Sequence, residues 1–172
     1  MFTIAQIIGF IALAFNVSTF QAKRHRTMMS LQIVVATLYS VHFFMLGALT
    51  GAALAVAGLI RSIVFRKVVP INATKRSLWP LLITQAIGLI AAIVTWQDWR
   101  SLLALVGWQA MTLAFWQRRE QRVRQFGLAS SPPWLIYDLL YGSMAGVLNE
   151  VLCSSSVIVG LWRFRKKSSS GF

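Results

Sequence analysis

Four ionisable residues interrupt otherwise apolar stretches of this sequence, and they are its strongest candidates for chemistry. They are Asp138, Glu150, His42 and Arg61, and the two acids are half of the four that the chain contains. An ionisable side chain inside a bilayer costs at least a few kcal/mol, so it usually faces a partner or a cavity. These residues are therefore expected to be buried together or to reach water.

The two acids lie symmetrically about a pair of glycines. Asp138 is four residues before Gly142, and Glu150 is four residues after Gly146. If the glycines form a turn between antiparallel helices, each acid lies roughly 6 Å from that turn, because a helix rises 1.5 Å per residue. Neighbouring carboxylates tend to share a proton, and His42 at a similar depth could take part. Proton coupling is thus a reasonable hypothesis.

Together these residues predict a cavity, although each has a second interpretation. The predicted lining is His42, Tyr137, Asp138, Asn149, Glu150 and Arg61. Alternatively, the two acids extend to the lipid headgroups, and His42 is a hydrogen-bonded packing residue. Arg61 either reaches the cytoplasmic interface or anchors an anionic group or a buried carboxylate.

The composition indicates an all-helical integral membrane protein. The chain is 57% hydrophobic and 12% charged, whereas soluble domains average about 25% charged residues. The apolar runs approach the roughly 20 residues that cross a bilayer as a helix. We predict seven crossings: 2–20, a hairpin over 28–65, 78–96, 101–116, and a second hairpin over 130–162.

The basic residues predict how the chain is oriented. The net charge is +13, and 15 of the 17 Lys and Arg fall after the first, third, fifth and last predicted spans. The positive-inside rule places these clusters in the cytoplasm and the N-terminus outside. We therefore expect a multi-pass protein of the bacterial inner membrane with anionic headgroups at its cytoplasmic face. The basic clusters lack a nucleic-acid-binding pattern, so no nucleic-acid partner is expected.

The sequence also repeats itself. Gly47 and Gly51 match Gly142 and Gly146 at an offset of 95 positions. This predicts two parallel three-helix repeats, 1–66 and 99–164, joined by a linker with the fourth helix at 67–98 and followed by a basic tail at 165–172. The paired glycines are expected to shape the turns, although small residues four apart also allow close helix packing.

Enzyme signatures are absent from the sequence. There is no HExxH, GxSxG, P-loop, dinucleotide or CxxC motif, and the single cysteine, Cys153, offers neither a disulfide nor a metal site. We therefore predict no enzymatic activity, no metal and no cofactor. Gln21 and Gln117 close the first helix of each repeat and are candidate hinge or cap residues, while Gln85, Gln109 and Thr112 are expected to form helix–helix hydrogen bonds.

Three segments resemble one family across nearly the whole chain. The stretches "VHFFMLGALTGAALAVAGLIRSI", "WLIYDLLYGSMAGVLNE" and "IVGLWRFR" look like the YgjV-type bacterial inner-membrane proteins. That resemblance implies a small inner-membrane protein and gives no mechanism. The three-plus-one-plus-three layout also resembles PQ-loop and SWEET-type carriers. Those carriers have Pro-Gln where this chain has Phe20-Gln21 and Trp116-Gln117, and asparagine in a region where this chain has Gly58.

Two functions follow as hypotheses. The first is a permease for a small polar solute that works by alternating access, motivated by the repeat and the intramembrane polar groups. The second is a membrane module that does not transport but binds partner proteins or anionic lipids. The sequence identifies neither a substrate nor a coupling ion, and it leaves the oligomeric state, a homo-oligomer included, open.

Overall fold

Three long apolar helices form the first part of the fold. The structure, a computed structural model, describes residues 2–69 and 77–155. The helices are α1 (Phe2–Gln21), α2 (His25–Met45) and α3 (Leu49–Val68). All three are long and apolar enough to cross a membrane, since 20 residues of helix span about 30 Å. This agrees with the predicted first span and first hairpin.

Two shorter helices follow in the positions expected of the fourth and fifth spans. They are α4 (Trp79–Val94) and α5 (Arg100–Phe115), each of 16 residues. Pro80 stands in the first turn of α4, where its missing N–H leaves no intrahelical hydrogen bond unmade. Within the described ranges the chain has no strand, as an all-helical fold requires.

The next helix begins ten residues earlier than predicted. The chain is helical from α6 (Glu120–Gly127) through a 3₁₀ segment (Leu128–Ser130) into α7 (Ser131–Leu140). The basic run "QRREQRVR" lies between the predicted spans 101–116 and 130–162, but part of it forms α6 because long straight-chain residues are good helix formers. The tighter 3₁₀ turn lies just before Pro132 and Pro133, which cannot donate backbone hydrogen bonds to a preceding turn.

A last helical segment, which we call α8, covers 144–155. The predicted end of the second hairpin at 162 and the basic tail at 165–172 lie outside the described residues, as does part of the predicted linker, 70–76.

The turns at Gly47 and Gly142 share one backbone conformation. Gly47 has φ +74° and Gly142 has φ +67°, a region that other L-residues rarely adopt. The amide of Ala48 donates to the carbonyl of Phe43 at 2.9 Å, and the amide of Ser143 donates to the carbonyl of Asp138 at 2.8 Å. The prediction that glycine shapes the turns is therefore correct for the first glycine of each pair.

The second glycine of each pair has a different role. Gly51 lies in α3, where an added Cβ would lie 2.9 Å from the Tyr137 ring, and Gly146 lies in α8, where it would meet the Asp138 carboxyl. Both positions are helical, so the turn interpretation is wrong for them. Their lack of a side chain allows close helix approach, which was the alternative interpretation.

The helices pack into one bundle whose interior is partly polar. Helix α2 packs on α1 and α3, α3 also packs on α4 and α5, and α5 packs on α7. Helices α1 and α8 approach closely at Gly9, where an added Cβ would lie 2.7 Å from that of Ala145. Many large apolar side chains, Ile90 and Val94 among them, are exposed, whereas Gln6, Asn16 and Gln32 are buried. This distribution suits a lipid environment.

Candidate functional site

A cavity of about 110 Å³ lies in the middle of the bundle. Its walls come from α1, α2, α3, α5, α7 and α8. The polar or ionisable residues that line it are Asn16, Gln32, Tyr39, Arg61, Trp108, Asp138, Asn149 and Glu150. The cavity thus contains four of the six residues that the sequence predicts, and it adds others that the sequence analysis did not identify.

Asp138 and Glu150 are brought to the same cavity, as predicted. Asp138 is 2% exposed and Glu150 is 8% exposed, so the interpretation that they extend to the headgroups is wrong. Gly146 leaves the room that the Asp138 carboxyl occupies, because a Cβ there would overlap it. One oxygen of Asp138, Oδ1, is buried without a hydrogen-bond partner. Such an atom is costly unless something binds it.

A chain of amides leads to Glu150. Gln32 Nε2 donates to Asn16 Oδ1 at 2.6 Å, and Asn16 Nδ2 donates to Asn149 Oδ1 at 2.7 Å. Asn149 Nδ2 then donates to Glu150 Oε1 at 3.0 Å. The network connects α2, α1 and α8 through three helix-borne amides. The sequence predicts Asn149 as a cavity residue but not Asn16 or Gln32. The only sign of these two in the sequence is that they are polar residues inside apolar spans.

Arg61 faces the interior and not the cytoplasmic interface. It is 4% exposed, so the interpretation that it reaches the interface is wrong. Its Nη1 donates to Thr112 Oγ1 at 2.9 Å, and its guanidinium carbon lies 5.3 Å and 4.9 Å from the ring centroids of Trp108 and Phe115. Arg61 Nε and Trp108 Nε1 are both buried without a hydrogen-bond partner. Two donors therefore remain available at this wall.

His42 and Tyr137 are not part of the cavity lining and instead join helices. His42 Nδ1 is 2.7 Å from the Ala5 carbonyl and its Nε2 is 2.8 Å from Ser143 Oγ. The Tyr137 hydroxyl accepts a hydrogen bond from the Gly51 amide at 2.9 Å. Both rings are fully buried. The structure thus favours the packing interpretation of His42.

The candidate hinges, Gln21 and Gln117, lie at the end of the bundle opposite the turns at Gly47 and Gly142. Gln21 is exposed at the end of α1, and Gln117 donates to the Leu113 carbonyl at 3.2 Å just after α5. Their role as hinges stays a prediction. Gln109 Nε2 donates to the Gln85 carbonyl at 3.3 Å, a helix–helix hydrogen bond of the kind expected. In the described part of the chain no three His, Cys, Asp or Glu residues form a group that could hold a metal ion.

Glutamine side chains bind both turns. Gln6 of α1 donates from Nε2 to the Gly142 carbonyl at 2.8 Å. Gln97, just before α5, donates from Nε2 to the Gly47 carbonyl at 3.1 Å and accepts from the Leu49 amide at 2.8 Å. Each turn is therefore held by a side chain from a part of the chain that is distant in sequence. The sequence analysis did not identify either glutamine.

Comparison with known proteins places the chain in a family. The family described as bacterial inner membrane protein, Imp-YgjV, matches residues 3–168. The chain is also similar to the inner membrane protein YgjV of Escherichia coli strain K12, with 26% identity over 98% of this chain and 90% of that protein. No solved structure matches the chain. The buried polar cavity, the lipid-suited surface and the match over nearly the whole length agree, and the chain belongs to the YgjV family of bacterial inner membrane proteins.

Proposed function

We propose that the protein is a carrier for a small polar solute and that it works by alternating access. The observation that carries the proposal is the cavity of about 110 Å³ between the N-terminal and C-terminal parts of the bundle. Four of its lining residues have buried polar atoms without a partner: Tyr39, Arg61, Trp108 and Asp138. Buried polar atoms are rarely left unpaired in proteins, and a bound solute or water would satisfy them.

The proposed carrier consists of two parallel three-helix repeats, 1–66 and 99–164, joined by the linker 67–98 with α4. The helix bounds support this layout. Helix α2 (His25–Met45) matches the helical run from Glu120 to Leu140 at an offset of 95 positions, and α3 and α8 start at the same offset. Carriers built from parallel repeats commonly place the substrate between the repeats.

The contacts between the halves suggest how the cavity is closed at one end. We define the turn end as the end of the bundle that contains Gly47 and Gly142. There, Gln6 of the first half binds the turn of the second half, and Gln97 at the end of the linker binds the turn of the first. His42 with Ser143 and the Gly51 amide with Tyr137 also join the halves here, so opening of the cavity at this end would require these hydrogen bonds to break.

The proposed orientation has seven crossings, the N-terminus outside and the C-terminus in the cytoplasm. The described basic clusters support it, since Lys23 and Arg24 follow α1 and Arg66 and Lys67 end α3. Arg118 and Arg119 follow α5 at the same end. Basic residues at one end of a membrane bundle mark its cytoplasmic side. The turn end would then face the periplasm.

A flux assay tests the carrier proposal. Purified protein in proteoliposomes should take up one or more solutes from a broad panel of labelled small metabolites, and Asp138→Asn should abolish that uptake. Arg100→Gln is the matched control, because Arg100 pairs with Asp98 at 2.8 Å outside the cavity and should leave uptake unchanged. Absence of uptake across the panel by folded protein would contradict the proposal.

A second candidate function is supported by a groove at the basic end. It is about 470 Å³ in volume and is lined by Trp116, Gln117, Arg118, Arg119 and Arg122. Three arginines with an aromatic ring suit an anionic lipid headgroup. The protein would then be a membrane module that binds anionic lipids. The test extracts the protein from vesicles that contain labelled anionic lipid and measures how much of this lipid stays bound to the purified protein. The double variant Arg118→Gln and Arg119→Gln should retain less of it, and vesicles without anionic lipid give the background.

A further inference from the structure

We propose that the cavity binds a small zwitterion, such as a short α-amino acid, with its carboxylate at Arg61 and Trp108 and its ammonium group at Asp138. This inference rests on the proposed carrier function and names the substrate class. It follows from the way in which unpartnered donors and acceptors divide the cavity into two regions.

The donor region is formed by α3 and α5. Arg61 Nε and Trp108 Nε1 are both N–H donors, both buried and both without a partner. Both side chains lie beside Gly58, where an added Cβ would lie 3.5 Å from Arg61 Nη2 and 3.6 Å from Trp108 Nε1. Glycine therefore leaves space beside the Arg61 guanidinium and the Trp108 indole nitrogen. A planar carboxylate, which accepts several hydrogen bonds and carries a negative charge, fits that space.

The charge of Arg61 strengthens this assignment. Among the described residues the structure has one ion pair, Arg100 with Asp98, so Arg61 has no carboxylate within 4 Å in that part of the chain. Its contacts are the Thr112 hydroxyl and two aromatic rings. A buried guanidinium without a counter-ion is costly. An anionic group of the solute would supply the counter-ion that the described residues do not provide.

The acceptor region is formed by α2, α7 and α8. Asp138 Oδ1 is a buried acceptor without a partner, and Glu150 lies on the same wall. Three rings also line the cavity: those of Tyr39 and Phe43 stack with centroids 5.6 Å apart, and those of Phe43 and Trp134 stack at 5.9 Å. Carboxylates and aromatic faces are the groups that bind an ammonium ion.

The size and polarity of the cavity restrict the class further. A volume of about 110 Å³ exceeds the roughly 10–15 Å³ that a single water needs, so the cavity can hold a small molecule. A simple carboxylate would leave Asp138 Oδ1 without a partner, and a simple amine would leave Arg61 Nε without one. A molecule that carries both groups satisfies both regions.

The test compares three labelled probes of similar size in proteoliposomes. Alanine carries both groups, propionate carries the carboxylate alone, and ethylamine carries the ammonium group alone. We expect labelled alanine to be taken up. Unlabelled propionate and unlabelled ethylamine should each compete with it at least about tenfold more weakly than unlabelled alanine does. Losing one charged hydrogen-bonding group costs roughly 1.5–3 kcal/mol, which corresponds to a factor of about 10 or more.

Two variants probe the donor region separately from folding. Trp108→Phe removes the indole N–H, and Gly58→Ala leaves Arg61 and Trp108 in place but fills the space beside them. Each should weaken alanine competition by at least about tenfold, while Arg100→Gln should not. If Trp108→Phe does not fold stably, Gly58→Ala still tests the position of the carboxylate.

The outcomes distinguish this inference from the carrier proposal. Uptake of propionate or ethylamine as fast as alanine, or uptake confined to uncharged solutes, would overturn the zwitterion class and leave the carrier intact. Absence of uptake for every solute would overturn both. Unchanged alanine competition in Gly58→Ala would refute the carboxylate position.

Discussion

At the scale of single residues, burial determines which polar groups have a role. Asp138 and Glu150 could be predicted from the sequence because so few acids occur in the chain and because their spacing about the turn places them at one depth. Tyr39 and Trp108 could not, since aromatic residues are common in apolar helices and only the packed structure shows that their polar atoms are unpartnered. Burial likewise separates Arg61 from the exposed arginines at the helix ends.

The close contact of Gly146 with Asp138 leads to the first prediction. Gly146→Ala should destabilise the protein by about 1–3 kcal/mol, because the new methyl group overlaps the Asp138 carboxyl. In an Asp138→Ala background the same change should cost much less, since the obstacle is gone. Thermal unfolding in detergent measures both. Equal losses in the two backgrounds would show that the two residues do not interact.

A second prediction concerns His42. His42→Phe removes the hydrogen bonds to Ala5 and Ser143 and should lower the free energy of unfolding by about 1–3 kcal/mol. Ser143→Ala removes one of these bonds and should cost less. If the proposed uptake occurs, its pH profile should remain unchanged in His42→Phe. A flattened pH profile with unchanged stability would instead make His42 a proton carrier.

At the scale of helices and turns, the sequence predicted the apolar elements better than the polar ones. The hairpins and the turn glycines follow from hydrophobic run length and glycine spacing. The start of α6 at Glu120 does not follow from these patterns. A cluster of arginines is typical of a cytoplasmic loop, although arginine also forms helices readily. The predicted 95-position offset is consistent with this start, since α2 starts at His25, 95 positions earlier.

The turn conformation leads to a third prediction. Gly47→Ala should cost about 1–2 kcal/mol, because φ is +74° and nothing lies near enough to clash. Gly47→Asn should cost less, since asparagine adopts positive φ more readily. Gly127→Ala is the matched control: Gly127 has φ −60° and ψ −30°, and alanine is the better helix former by up to about 1 kcal/mol. In thermal unfolding, Gly47→Ala should therefore lower the melting temperature and Gly127→Ala should raise it.

At the scale of the whole molecule, the contacts between distant helices were beyond sequence analysis. The 95-position offset predicts that two halves exist, but not how they meet. The structure shows that α1 meets α8 through Asn16 and Asn149 and that α3 meets α5 through Arg61 and Thr112. Such pairs depend on helix rotation and crossing angle, which hydrophobic periodicity leaves undetermined when every face of a helix is apolar.

The proposed orientation gives a fourth prediction. In a Cys153→Ser background, Met144→Cys at the turn end and Arg119→Cys at the basic end each provide one exposed thiol. A membrane-impermeant thiol reagent added to intact spheroplasts should label the first and not the second, while lysed cells should allow labelling of both. The reverse pattern would place the N-terminus in the cytoplasm.

The position of Arg61 also has a consequence for biosynthesis. Its partners Thr112, Trp108 and Phe115 all lie on α5, and Thr112 is 51 residues further along the chain. At about 5–20 residues per second, the ribosome completes this wall of the site roughly 3–10 s after Arg61 is made. During that time a charged residue in α3 costs about 2.5–3.5 kcal/mol at the centre of a bilayer. We therefore expect the first hairpin to be less stable in the membrane until α5 has been made.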